Sequence, residues 1–204
     1  MTVCKISLDQ VFAQTYISGD NSKQFSFGGY FSEGEEYAGI VVNQIRQYPQ
    51  GISSFVKEIE NKKIENRIRN LVTAFVDSLK YTGFLEMEFK MDAKNEITYL
   101  LDVNPRPWGW VSILGAKYKK FHLILSESKN NKLKNEDSKL SWANPIRDIV
   151  SIFKNQQNSR NKNDKFLRSY TTNNIVLDIF DEKDFKPTLS IIKVGIMKIL
   201  KRIR

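Results

Sequence analysis

Between Gly83 and Trp110 the chain reads GFLEMEFKMDAKNEITYLLDVNPRPWGW, and no other stretch limits its folding options as strongly. Two runs rich in apolar and β-branched residues, Phe84 to Met91 and Ile97 to Val103, flank the polar break Asp92-Ala93-Lys94-Asn95, the pattern of a β-hairpin with a short loop. Side chains alternate faces along a strand. Phe84, Glu86, Glu88 and Lys90 therefore share one side of the first strand, and Thr98, Leu100, Asp102 and then Asn104 one side of the second. If pairing brings these faces together, Glu86, Glu88, Asp102 and Asn104 converge as oxygen donors. Carboxylates so clustered repel one another unless a cation lies among them, and hard oxygen donors suit Mg²⁺ or Mn²⁺ better than zinc.

The chain of 204 residues is long enough for one good core, and 41% hydrophobic content argues against global disorder. A net charge of +9 suits polyanionic partners or a solvated basic surface, and names neither. The single cysteine, Cys4, excludes an internal disulfide; with no signal-peptide pattern, a cytoplasmic setting is expected. There is no apolar run of about 18 residues, so no transmembrane span is expected. His122 is the only histidine and lies in an apolar segment, which leaves no zinc site.

Along the chain, 13–17 reads as a strand, and Gln24–Phe31 with Tyr37–Tyr48 as a second hairpin around Ser32-Glu33-Gly34-Glu35. Gly28-Gly29 marks a bulge or a close approach of backbone. Arg46, near the end of that hairpin, is either a surface charge or a ligand clamp. From Ser54 to Lys80 the period becomes helical, with Ile64, Ile68, Leu71, Val72, Phe75, Val76 and Leu79 on one stripe and Gly83 as a stop signal. A helix is expected over Val111–Ser126, a polar loop over Lys129–Lys139, a helix opened by Trp142 and running to Phe153, and a polar linker over Asn155–Lys165. Pro187–Arg204 reads as a basic amphipathic helix that either lies on anionic lipid or docks on the protein's own core. The order of elements implies an α+β layer, mostly antiparallel sheet with packed helices, divided as 1–128 and a linker-rich extension, 129–204.

GFLEMEFKMD followed by LLDVNPRPWGW resembles the C-terminal half of an ATP-grasp domain, especially the carboxylate-amine ligase branch related to carbamoyl-phosphate synthetase large chains and D-aspartate ligase. Gln14-Thr15-Tyr16-Ile17-Ser18-Gly19-Asp20-Asn21 resembles that fold's hinge strand, and Ile45-Arg46-Gln47-Tyr48-Pro49 its basic strand. Trp142 to Phe153 and the final basic helix are similar to the branch's C-terminal extension. The resemblance implies the C-terminal lobe of an ATP-grasp fold with a C-terminal helical extension. It makes Glu88, Asp102 and Asn104 the ligands of Mg²⁺ (or Mn²⁺), although the family more often has Glu at the position of Asp102. Arg106 and Arg46 become catalytic contacts to phosphate or acylphosphate oxygens. Gln14, Tyr16, Ile17 and Asn21 would border the nucleoside, and Glu86 would support the site through a salt bridge.

The activity so implied is a ligase reaction in which ATP activates a carboxylate and an amine attacks the acylphosphate. The resemblance begins almost at the hinge. The lobe bearing phosphate-covering lysines and a glycine-rich loop is therefore expected from a separate N-terminal half or another copy of the chain, without which this chain is expected to be inactive. The alternatives are a noncatalytic nucleotide- or metal-binding remnant and a basic membrane-associated module acting through 187–204; nucleic acid is not an expected partner.

Overall fold

The computed structural model describes residues 15–119, 121–122, 137–155, 170, 174–178, 180, 184–191 and 193. A seven-stranded sheet forms the frame: β1 (Gln24–Ser32), β2 (Glu35–Gln47), β3 (Ser53–Glu58), β4 (Gly83–Met91), β5 (Thr98–Asn104), β6 (Ser141–Ala143) and β7 (Ile175–Leu177). Their order across the sheet is β5-β4-β1-β2-β3-β6-β7. Every neighbouring pair is antiparallel except β6–β7. The α+β class expected from the sequence is the observed one, and β6 and β7 from the C-terminal stretch continue the same sheet.

Alternation sorts the side chains into two layers. Phe25, Phe27 and Phe31 of β1 and Leu85, Met87 and Phe89 of β4 point to one face, where they meet Ile68, Val72 and Val76 of helix α1 (Lys62–Leu79). The expected helix over Ser54–Lys80 is shorter than its pattern. Residues Ser53–Glu58 are strand β3, and α1 starts only after Asn61, whose side chain accepts from the Lys63 and Ile64 amides. Such a cap contributes about 1 kcal/mol. The helix ends on Lys80 in a left-handed conformation rather than on Gly83, which opens β4.

The opposite face buries Ile40, Val42 and Val56 beneath Trp108, Trp110, Trp142 and the Ile113-Leu114 pair of helix α2 (Ser112–Lys117). Lys117 docks α2 through a buried ion pair with Glu58 at 3.1 Å. Helix α3 (Pro145–Asn155) packs against β2 and β3. Trp142 does not open this helix but lies in β6, and Asn144 provides the helix start by accepting from the Arg147 amide.

Other sequence expectations meet the structure unevenly. Residues 15–20 form no strand. The expected helix over Val111–Ser126 is observed as α2 alone, with residues 120 and 123–126 outside the described set. Most of the Lys129–Lys139 loop and of the Asn155–Lys165 linker also falls outside it. The C-terminal helix is described only at 186–191 and 193. No helix among the described residues is long and apolar enough to cross a membrane.

Candidate functional site

The β4–β5 pairing sets Glu86 opposite Asn104 and Glu88 opposite Asp102. Directly opposed residues in an antiparallel pair share a face, so the four oxygen-bearing side chains occupy one patch. A bulge lies immediately beyond. Leu100, not Leu101, opposes Phe89, which leaves Leu101 as the extra residue and breaks the simple alternation that had placed Leu100 beside Asp102.

On the inner side the patch continues onto β1 and β2. Ser26 opposes Glu88 and Gly28 opposes Glu86. Gly28 is required there, because a Cβ on it would lie 2.2 Å from Cζ2 of Trp108. The close approach anticipated at Gly28-Gly29 is thus real, whereas the bulge in β1–β2 falls between Tyr30 and Phe31. Trp108 and Trp110 pack edge to face with centroids 5.1 Å apart, and the Trp110 indole N–H donates to Glu86 Oε1 at 3.0 Å. That indole takes the supporting place expected for a salt bridge to Glu86.

The electrostatics follow from this placement. Burial, and then the Glu88 charge, raise the Glu86 carboxyl from 4.5 to about 7, against the opposing effects of the Trp110 hydrogen bond and Arg106. Burial also raises Glu88, with Asp102 adding to the effect and Gln44 and Gln24 opposing it. Like charges on partly desolvated carboxyls disfavour joint ionisation, and a cation shared between them reverses that preference.

The remaining donors lie at the outer edge. Asp102 is exposed; its carboxylate accepts from the Val103 amide at 2.9 Å and from Asn104 Nδ2 at 2.8 Å. Arg106 is exposed, with Nη2 3.4 Å from Asn104 Oδ1 and Nη1 3.1 Å from the Pro107 carbonyl. The site thus holds Glu88, Asp102, Asn104 and Arg106 side by side. Among the described residues no group of three or more His, Cys, Asp or Glu is arranged as a metal cage. A donor set of two carboxylates and an amide nevertheless fits Mg²⁺, which is typically bound through one or two carboxylates and completes its shell with water and substrate phosphates.

Arg46 is placed differently. Its guanidinium makes a two-pronged pair with the fully buried Asp148, Nε–Oδ1 2.7 Å and Nη2–Oδ2 2.8 Å, and stacks 4.2 Å over Phe55. Ser54 and Tyr170 donate to the same carboxylate. In this arrangement Arg46 ties β2 to α3. Of the proposed nucleoside contacts, Tyr16 is exposed and Ile17 half-buried, Asn21 opens a 3-10 turn (Asn21–Lys23), and Gln14 lies outside the described residues.

The sequence reading missed Gln24, Ser26 and Gln44, all buried polar residues on the carboxylate side of the sheet. Their signal was available in the parity: Gln24 and Ser26 alternate with Phe25 and Phe27, and Gln44 lies two residues beyond Val42 on the same side.

No protein-family model matches the chain, and no curated protein matches it. Solved structures do resemble it. Biotin carboxylase from Campylobacter jejuni aligns with 52% of this chain and 24% of its own at a TM-score of 0.42 and 14% identity. L-amino acid ligase from Bacillus licheniformis aligns with 48% of this chain and 26% of its own, at 0.37 and 16%. N5-carboxyaminoimidazole ribonucleotide synthetase from Thermotoga maritima aligns with 52% and 29%, at 0.37 and 19%. These three are ATP-grasp proteins. The chain spans under a third of the length of each, and identities this low leave activity and substrates to be argued from the site residues.

Proposed function

We propose that this chain supplies the metal- and phosphate-binding wall of an ATP-grasp ligase. The observation that carries the reading is the β4–β5 register, which opposes Glu88 to Asp102 with Asn104 and Arg106 immediately beyond. In this reading Glu88, Asp102 and Asn104 hold Mg²⁺ or Mn²⁺, which when bound neutralises charge on the nucleotide phosphates. Arg106, exposed beside Asn104, reaches phosphate or acylphosphate oxygens and stabilises the charge that develops there. Trp108 and Trp110 keep the inner edge of the patch dry and hold Glu86 in place. The substrate carboxylate is activated by ATP and then attacked by an amine, so no side-chain nucleophile is called for. Residues covering the phosphates come from outside this wall.

The Arg46–Asp148 pair favours a second reading, a noncatalytic nucleotide- or metal-binding module, because it commits one of the two proposed phosphate contacts to holding α3. Two measurements on the full chain separate the readings. Electron paramagnetic resonance counts bound Mn²⁺ with and without ATP, and an ADP-release assay is run across amino-acid carboxylates and amines. Ligase function predicts Mn²⁺ binding strengthened by ATP, weakened in Glu88→Gln and Asp102→Asn, and substrate-dependent ADP release once a separate N-terminal ATP-grasp half is added to the mixture. Binding without ADP release in any mixture supports the module, and no binding removes both.

A further inference from the structure

The segment that begins at Phe185 holds its apolar side chains in water. Residues 186–191 and 193 are helical; the Asp184 carboxylate accepts from the Lys186 amide at 3.1 Å, and the Leu189 amide donates to the Phe185 carbonyl at 3.1 Å. A helix docked on its own core buries a stripe of apolar residues about 100° wide. Here Phe185 is 49% exposed, Leu189 64% and Ile191 41%. Leu189 and Ile191 lie roughly 200° apart around a helix axis, so neither side of these first turns is covered. Among the described residues 184–191 and 193, only Thr188 is half-buried. Docking on the protein's own core is therefore the arrangement that this part of the segment does not adopt.

Charge narrows what can cover it instead. From Phe185 to Arg204 the sequence carries Lys186, Lys193, Lys198, Lys201, Arg202 and Arg204 and no Asp or Glu. Cations in the last turn of a helix favour its dipole, but Lys186 falls in the first turn, where the dipole opposes it, and Lys193 two turns on, beyond its reach. Pairing with a second copy of the segment would set these cations against the same cations, and like charge opposes that. An anionic surface is the complementary one. Leu189, Ile192, Ile196, Ile199 and Leu200 recur at the spacings of one helical face, with Lys193, Lys198, Lys201 and Arg202 on the positions between. A helix of that pattern lies in the plane of a bilayer surface, its apolar face among the acyl chains and its cations among the headgroups.

We infer that the segment from Phe185 to Arg204 attaches this chain to an anionic lipid surface, lying along the interface without crossing it. Asp178, Asp181, Glu182 and Asp184 immediately precede it. Such acids are repelled by anionic headgroups, so the attraction grows along the segment from Asp184 towards Arg204. Attachment is independent of the role given to Glu88 and Asp102.

The test is flotation of the full chain with vesicles of phosphatidylcholine, with and without phosphatidylserine, at rising salt. Wild type is compared with Phe185→Ser plus Leu189→Ser, with Lys193→Gln plus Lys198→Gln, and with Lys63→Gln plus Lys94→Gln, two exposed lysines elsewhere on the surface. Circular dichroism and the thermal midpoint establish folding; if the serine pair does not fold, the Lys193 and Lys198 pair carries the test. Wild type should float only with phosphatidylserine present and be released by salt, which screens the attraction. A cation near an anionic surface strengthens binding roughly five-fold, so losing Lys193 and Lys198 should weaken it roughly 25-fold. Losing the two apolar side chains should weaken it at least about 10-fold, and the Lys63 and Lys94 pair should leave it unchanged. A wild-type chain that does not float, or floats equally well without phosphatidylserine, overturns the inference. Equal weakening by the two lysine pairs also overturns it, because the attraction then belongs to the basic surface as a whole. So does a wild-type dimer that fails to float and that Phe185→Ser plus Leu189→Ser dissociates, since a second copy then covers the segment.

Discussion

Replacing Glu86 with glutamine should change how stability depends on pH, in a direction and by an amount the structure sets. Glu86 is 6% exposed, packed between Gly28 and Asn104 on the neighbouring strands. Its carboxyl is raised from 4.5 to about 7, chiefly by burial. Between those values the folded protein keeps a proton that the unfolded chain has released, so the native state binds more protons and loses stability as pH rises. The contribution is fully present below about pH 4.5 and is lost through about pH 7; a rise of that size is worth roughly 3 kcal/mol. Glu88 is raised too and adds a loss of the same sign. Glu86→Gln keeps an acceptor for the Trp110 indole and cannot titrate. Urea unfolding, followed by tryptophan fluorescence in metal-free buffer at pH 5 and pH 8, measures the difference. The stability of Glu86→Gln relative to wild type should rise by roughly 2 to 3 kcal/mol between the two pH values. A relative stability that does not change with pH would refute the reasoning.

Three further outcomes follow from the packing. Gly28→Ala places a methyl group into the Trp108 ring and should lower stability by about 1 to 3 kcal/mol, with a shift in tryptophan emission as the indole is displaced; an unchanged urea midpoint would contradict the close approach. Asp148→Ala leaves the Arg46 guanidinium, Ser54 and Tyr170 without their shared acceptor. It should cost about 3 kcal/mol or more in the same unfolding assay while leaving Mn²⁺ affinity intact. Asn61→Ala removes the cap of α1 and should cost about 1 kcal/mol by thermal unfolding, because its side chain accepts two helix amides.

The central hairpin was legible because two strands of alternating residues carry their own register information, and acids two apart must share a face. What the alternation could not reveal was the extra residue at Leu101, since a bulge inserts one position without changing composition. Strand β3 was hidden for a related reason: Phe55, Val56 and Ile59 fall at spacings that also suit a helix, and only the Asn61 cap signal marks where α1 begins. Strand β6 has three residues, too few for any period. Arg46 illustrates a different limit. Its partner Asp148 is 102 positions away, and which of many charges it meets is decided by the docking of α3 on β2 and β3. The buried amides were overlooked because polar residues in a strand ordinarily mark the wet face. Here they mark the side of the sheet that carries the carboxylates.

The most direct test of the account is a calorimetric titration of the full chain with Mg·ATP, repeated for Glu88→Gln and Asp102→Asn. The account predicts a single binding isotherm for wild type, with affinity reduced at least about 10-fold in either variant, since each removes one of the two carboxylates that share the cation. Absence of binding, or one dissociation constant common to all three proteins, would contradict it.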